Sequence, residues 1–216
     1  MKSGRRRAKA PALRESAARV VEVLGRESCV LIGGLAVAAY GHERATKDVD
    51  LITRLPLRDA KARLVERGFA VEVRRGDPVE GVPTFLQARV NDVVIDVLPM
   101  LAQINWDRLT EVPLVSGTAV KVIDLDTLLL LKLRAGGVQD VLDVAQLVWR
   151  NPDRLPLARD LSGRYGVAHK LESYLLDRRE RRKLIDGLPR EKRRRVREEL
   201  QRLLPMPDVA EGERRR

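Results

Sequence analysis

Apolar side chains recur at helical spacing over residues 11–24 (Leu13, Ala17, Val20, Val21, Leu24), and Gly25 closes the run, which predicts an amphipathic helix. The pattern then becomes continuously apolar over residues 28–32, the length of a buried strand, and runs into Gly33-Gly34 and an Ala-rich helix over 35–40. Val49-Asp50-Leu51-Ile52 alternates and is β-branched, so a second strand begins near Asp48. Residues 57–67 read as a helix closed by Gly68, and residues 69–74 as a third strand followed by a Gly/Pro-containing loop. Residues 84–90 and 93–98 alternate on either side of Asn91-Asp92 and predict a hairpin.

Beyond Pro99 the pattern is irregular until a short strand over 119–123, after which the helical period takes over from Asp124 and again over 138–150. Asn151-Pro152 interrupts it, and helical patterns rich in Arg and Glu resume around 155–165, 167–176 and 190–204. The expected class is α/β (α+β), a mixed sheet flanked by helices with a helical C-terminal region. The expected divisions are a basic extension over 1–10, a core over 11–123, a helical region over 124–205 and a disordered tail over 206–216.

Composition agrees with a folded chain: 44% of the 216 residues are hydrophobic and 34% charged. Aromatic residues make up only 3%, too few to build stacking platforms for single-stranded nucleic acid. The net charge of +11 is concentrated at the ends, in Lys2, Arg5, Arg6, Arg7 and Lys9 and in residues 178–216 with 15 basic and 8 acidic side chains. A near-neutral body with basic extensions can hold a polyanion by neutralising phosphates, or can simply be a solvated surface. Cys29 is the single cysteine, so no intrachain disulfide forms and a reducing cytoplasm is the expected compartment. The basic N-terminus lacks a following apolar run, and the two most apolar stretches, 30–40 and 125–133, are too short to span a membrane.

Candidate chemistry centres on Asp48 and Asp50, which the period of two places on one face of a strand. Paired carboxylates repel, and a hard divalent cation, Mg²⁺ or Mn²⁺, removes that penalty. Asp96 stands among Val93, Val94, Ile95, Val97 and Leu98, where a carboxylate needs a partner that a shared cation would supply. Gly33-Gly34 lets a phosphate approach bare backbone amides. The chain holds no Walker motif, dinucleotide fingerprint or Cys/His zinc pattern.

The stretch from Val30 to Leu51, with its Gly-Gly turn and the Arg-x-Thr-x-Asp-x-Asp string from Arg44 to Asp50, resembles the signature of the DNA polymerase beta-like nucleotidyltransferase superfamily. Within it the stretch is most similar to the branch of AbiEii-type abortive-infection and MenT-type toxins. Asp96 fits the later strand carboxylate, and Lys132, Ala135, Asp140 and Asp143 fit a later block, so the resemblance covers roughly residues 28–148. It implies a nucleotidyltransferase fold, with Asp48, Asp50 and Asp96 as metal-binding and catalytic residues. It also implies binding of a nucleoside triphosphate by Gly33, Gly34, Arg44, Thr46 and Lys132. The cofactor implied is Mg²⁺ or Mn²⁺, the acceptor a hydroxyl such as a transfer RNA end, and a further partner a cognate antitoxin. Where that branch often carries an Arg before the Asp-x-x-Asp helix, this chain has Gly136-Gly137.

Blander roles compete for several of these residues. Arg44 and Thr46 can be a surface charge and a turn residue, while Asp140 and Asp143 read as capping and hydrogen-bonding groups. His42 and His169 have no nucleophile or acid beside them in sequence, and Cys29 reads as core. A protein side chain or a small molecule of aminoglycoside type remains open as acceptor. A non-catalytic module that binds nucleic acid or a partner protein is the alternative from another class.

Overall fold

The computed structural model describes residues 10–76, 83–100 and 104–204. Most of the basic N-terminal extension, the tail over 206–216 and part of the loop after the third strand therefore lie outside the described residues. The chain divides after Leu128 into two compact units, 1–128 and 129–216.

The first unit is built on a seven-stranded mixed sheet. Its elements are α1 (Ala10–Leu24), β1 (Cys29–Ile32), α2 (Gly33–Ala39), β2 (Asp48–Thr53), α3 (Leu57–Glu66), β3 (Ala70–Arg74), β4 (Phe85–Val90), β5 (Val93–Pro99), β6 (Thr110–Val115) and β7 (Thr118–Val122). The strand order is β3-β4-β5-β2-β1-β7-β6. β2 runs parallel to β5 and antiparallel to β1, which pairs in parallel with β7, so the core of the sheet is neither all-parallel nor a simple meander.

Alternation along the strands sorts the sheet into two faces. Val49 and Leu51 on β2, Ile95 and Val97 on β5, and Leu86 and Ala88 on β4 are fully buried, whereas Asp50, Asp96 and Gln87 on the other face are only half-buried. α1 and α3 pack on the sheet and on each other, burying Leu13, Ala17, Val20, Val21, Leu24, Ala60 and Leu64. Asn91 (φ 48°) and Asp92 (φ 66°) make the two-residue turn between β4 and β5, the backbone twist that tight hairpins favour. Tyr40 Oη donates to the carbonyl of Ile123 at 2.8 Å, tying the end of α2 to the end of β7.

Two elements were absent from the sequence reading. β6 contains Pro113, which the pattern counts against a strand; as the outermost strand it tolerates a residue without an N–H, and its register shifts between Pro113 and Val115. The second unit holds most of α4 (Leu125–Ala135), then α5 (Val138–Arg150), α6 (Leu155–Arg164), α7 (Ala168–Leu175), α8 (Arg178–Gly187) and α9 (Arg190–Leu203). α8 was the other omission. Leu184 and Ile185 are its only buried apolar residues, and its start is set instead by Asp177, whose carboxylate accepts from the backbone amides of Arg179 and Glu180. The core of this unit gathers around α5, where Val141, Val144, Leu147, Val148 and Trp149 are buried.

Candidate active site

Asp50 and Asp96 are register partners on adjacent parallel strands. Partners in register point to the same face, and Asp48, two residues earlier on β2, shares it. The sheet thus delivers all three aspartates to one face, which they share with the buried Ile52. That convergence comes from the pairing of β2 with β5, which no local sequence feature shows.

The glycines stand directly beside these carboxylates. Because Ile32 pairs with Asp50, the chain leaving β1 turns at Gly33 immediately against the Asp50 side chain. Gly33 has φ 62°, and a Cβ there would lie 2.7 Å from Asp50 Cγ and overlap Oδ2. The loop between α2 and β2 brings Arg44 and Thr46 to Gly34, where a Cβ would meet Thr46 Oγ1 at 2.8 Å and an Arg44 guanidinium nitrogen at 3.5 Å. Thr46 Oγ1 stands 3.1 Å from Asp48 Oδ1 and 3.3 Å from the Asp48 carbonyl oxygen, placed to donate to either.

Asp96 is held from the opposite side. Gln87 on β4 is its register partner and donates from Nε2 to Asp96 Oδ1 at 2.9 Å. Gln87 Oε1 in turn accepts from Arg74 Nε at 3.3 Å and Nη2 at 3.1 Å, and Arg74 also pairs with Glu72 at 2.7 Å. Burial is the largest influence on Asp96 and pushes its carboxyl above the usual range; the Gln87 bond opposes this, the charge of Asp48 adds to it, and Arg74 draws it down. Gln87 and Arg74 were missed by the sequence reading. The signal was present: a two-residue turn at Asn91-Asp92 pairs 90 with 93, and counting outward sets 87 opposite 96.

Lys132 lies in the second unit, buried, with Nζ 2.7 Å from Asp140 Oδ1 and 3.0 Å from Asp143 Oδ2. Burial alone would depress the ammonium, but the two carboxylates outweigh it and hold its pKa above the usual lysine value. Asp140 and Asp143 therefore act as ion-pair partners of Lys132 within one unit.

Comparison with known proteins gives no family assignment: no family model matches the chain, and no curated protein does. Solved structures do match. The Helicobacter pylori protein JHP933 is 14% identical, with 76% of this chain and 94% of that one covered at a TM-score of 0.42. The Megavirus polyadenylate synthase is 10% identical over 82% of this chain and 36% of that one, at a TM-score of 0.39. ANT(2″)-Ia, solved with adenylyl-2″-tobramycin, is 16% identical over 86% of this chain and 97% of that one, at a TM-score of 0.35. These likenesses are too remote to carry a role to any residue here, so the site stands on its own geometry.

The donor chemistry at Asp48, Asp50 and Asp96 fits a hard divalent cation: the ligands are all carboxylate oxygens, and the repulsion that Asp48 exerts on Asp96 is what a cation would relieve. The three carboxylates have different neighbours: Asp50 packs against Gly33, Asp48 is within hydrogen-bond distance of Thr46, and Asp96 accepts from Gln87. Among the described residues no group of three or more His, Cys, Asp or Glu side chains is arranged so that it could hold a metal ion as it stands.

Proposed function

We propose that the first unit is a divalent-metal-dependent nucleotidyltransferase that moves a nucleoside monophosphate from a nucleoside triphosphate to an acceptor hydroxyl. The observation that carries this reading is the in-register pairing of Asp50 with Asp96, with Asp48 on the same face and the bare backbone of Gly33-Gly34 alongside. Acidic residues gathered on one face of a sheet beside a glycine turn are an arrangement that suits metal-assisted phosphoryl chemistry.

Asp48, Asp50 and Asp96 would hold Mg²⁺ or Mn²⁺, which when bound neutralises charge on the phosphates and lowers the pKa of the acceptor hydroxyl. Gly33 and Gly34 let Asp50, Thr46 and Arg44 pack directly against the main chain, and the Arg44 guanidinium beside Gly34 would offset the charge of a bound triphosphate. Thr46 orients Asp48. Asp96, oriented by its bond from Gln87, would take the acceptor proton. In the reaction the acceptor oxygen bonds to the α-phosphorus, the bond from that phosphorus to the bridging β-oxygen breaks, and pyrophosphate departs. The reading does not call on Lys132, whose charge is already met by Asp140 and Asp143.

The acceptor class that suits a basic chain is an RNA end, a transfer RNA among them, and a toxin role with a cognate antitoxin follows from the sequence resemblance. Calorimetric titration of each NTP in Mg²⁺ and in EDTA tests the binding half of the proposal. Metal-dependent binding that Asp48→Asn/Asp50→Asn abolishes is the expected result. Binding unaffected by EDTA and by both substitutions would refute it.

A further inference from the structure

α8 and α9 form a pair whose inward faces are apolar and whose outer surface is built from arginine. Leu184, Ile185, Val196 and Leu200 are buried, while residues 178–203 carry 12 Lys and Arg against 5 Asp and Glu. Between the two helices runs a cleft of about 460 Å³, walled by Arg181 and Arg182 from α8 and Arg197 from α9, with Gln201 beside them and Ile185 and Leu200 at its floor. Asp186 is the single acidic residue on it and stands 3.9 Å from Arg182, a loose pair. The neighbouring pairs Arg194–Glu198 (3.1 Å) and Arg195–Glu199 (4.0 Å) are one-turn surface contacts of the kind that contribute little and are cheaply exchanged for a better anion.

We infer that this arginine-walled cleft docks the phosphodiester backbone of a base-paired nucleic acid. Three features choose that partner. Leu184, Ile185, Val196 and Leu200 are buried and the apolar floor of the cleft is flanked by arginines, so neither helix presents a broad exposed apolar face to a bilayer. The cleft offers no aromatic side chain, so neither base stacking of a single strand nor an aromatic anchor for a protein partner is available. Guanidinium groups from two helices around one groove match repeated phosphates, which bidentate arginine contacts recognise without reading sequence. The surface lies wholly in the second unit and is independent of whether the first unit transfers nucleotides.

The test is fluorescence anisotropy of the full chain with fluorescein-labelled RNA and DNA hairpins of equal stem length, across a salt series and without nucleotide. Binding to either duplex is expected, with log K falling against log salt with a slope of roughly −3 or steeper, since each phosphate neutralised contributes about −0.9. Arg181→Gln/Arg182→Gln/Arg197→Gln is expected to weaken binding at least about tenfold and to flatten the slope, whereas the corresponding triple Lys variant keeps the slope because the charge is kept, and binds between wild type and the Gln variant because the bidentate contacts are lost. Single Arg182→Gln and Arg197→Gln, at exposed positions, each reduce the slope by about one. No salt-dependent binding, wild-type binding by the Gln variants, or competition by polyglutamate as effective as by unlabelled hairpin would overturn the inference.

Discussion

Gly33 and Asp50 occupy space that cannot hold one more carbon atom: a Cβ on Gly33 would stand 2.7 Å from Asp50 Cγ. The contact arises because β1 and β2 pair so that Ile32 faces Asp50, and the next residue must turn with φ 62°. Gly33→Ala therefore combines left-handed strain of about 1–2 kcal/mol with displacement of a candidate metal ligand. Gly117 has φ 80° but nothing within 4 Å of the position its Cβ would take, so Gly117→Ala isolates the strain alone. Thermal melting of both should show a drop of several degrees for each, while only Gly33→Ala loses metal-dependent nucleotide binding. Equal binding by the two variants would show that the Gly33 contact is structural.

Gln87 fixes the orientation of Asp96 and is itself fixed by Arg74. Gln87→Leu removes the only donor described on Asp96 Oδ1 and is expected to cut nucleotide transfer by about tenfold, the scale on which lost positioning of a reacting group is felt. Gln87→Glu adds a fourth acidic group beside Asp48, Asp50 and Asp96 and should be worse than Leu. Single-turnover rates at saturating nucleotide read the effect, and an unchanged rate for both variants would remove Gln87 from the site.

The carboxyl of Asp96 sits above its ordinary range because burial and Asp48 disfavour its charge. A carboxyl whose folded pKa exceeds its unfolded value binds its proton more tightly in the folded state. Its stabilising contribution is therefore full below the unfolded pKa and lost as pH rises through the folded one. Without metal, Asp96→Asn should melt at or above the wild-type temperature at pH 8, with the advantage shrinking toward pH 4, while transfer activity disappears. A variant that melts well below wild type at pH 8 would contradict the assigned sign.

Lys132 stands between Asp140 and Asp143, and Asp143 is 0% exposed. Lys132→Met leaves a buried carboxylate without its cation, a loss of about 3–5 kcal/mol. For a chain of this size that lowers the melting temperature by roughly 10 °C. Adding Asp143→Leu should recover much of it, as measured by calorimetry; a near-neutral single variant would show that the triad contributes nothing.

Burial pushes the Cys29 thiol up to about 12, so at pH 8 only about one in ten thousand is thiolate. Reaction with a disulfide reagent should be slow in the native chain and faster by at least about a hundredfold in denaturant. Fast native labelling would place Cys29 at the surface.

Much of the first unit was legible because its signals are local. The helical stripe ending at Gly25, the Asn91-Asp92 turn and the alternation from Asp48 each settle an element by short-range sterics and periodicity. The candidate carboxylates were legible for the same reason, as charges in otherwise apolar strands. What stayed hidden depends on position within the sheet. β6 is possible with Pro113 because it lies at the edge, and Gln87 matters because β4 sets it against Asp96. α8 escaped because two buried apolar residues make too faint a stripe among arginines, and Lys132 acquired partners that only the turn from α4 into α5 brings to it.

The central claim is that Asp48, Asp50 and Asp96 serve one metal-dependent transfer reaction. The direct measurement is incubation of the purified chain with each α-³²P-labelled NTP, Mg²⁺ and total cellular RNA or protein, beside Asp48→Asn/Asp50→Asn and an EDTA control. Label carried to a macromolecule by the intact chain alone, and lost in both controls, is the predicted result and names the acceptor class. Transfer that persists in the double variant, or no transfer to either pool together with no metal-dependent NTP binding, would contradict the account and leave a non-catalytic binding module.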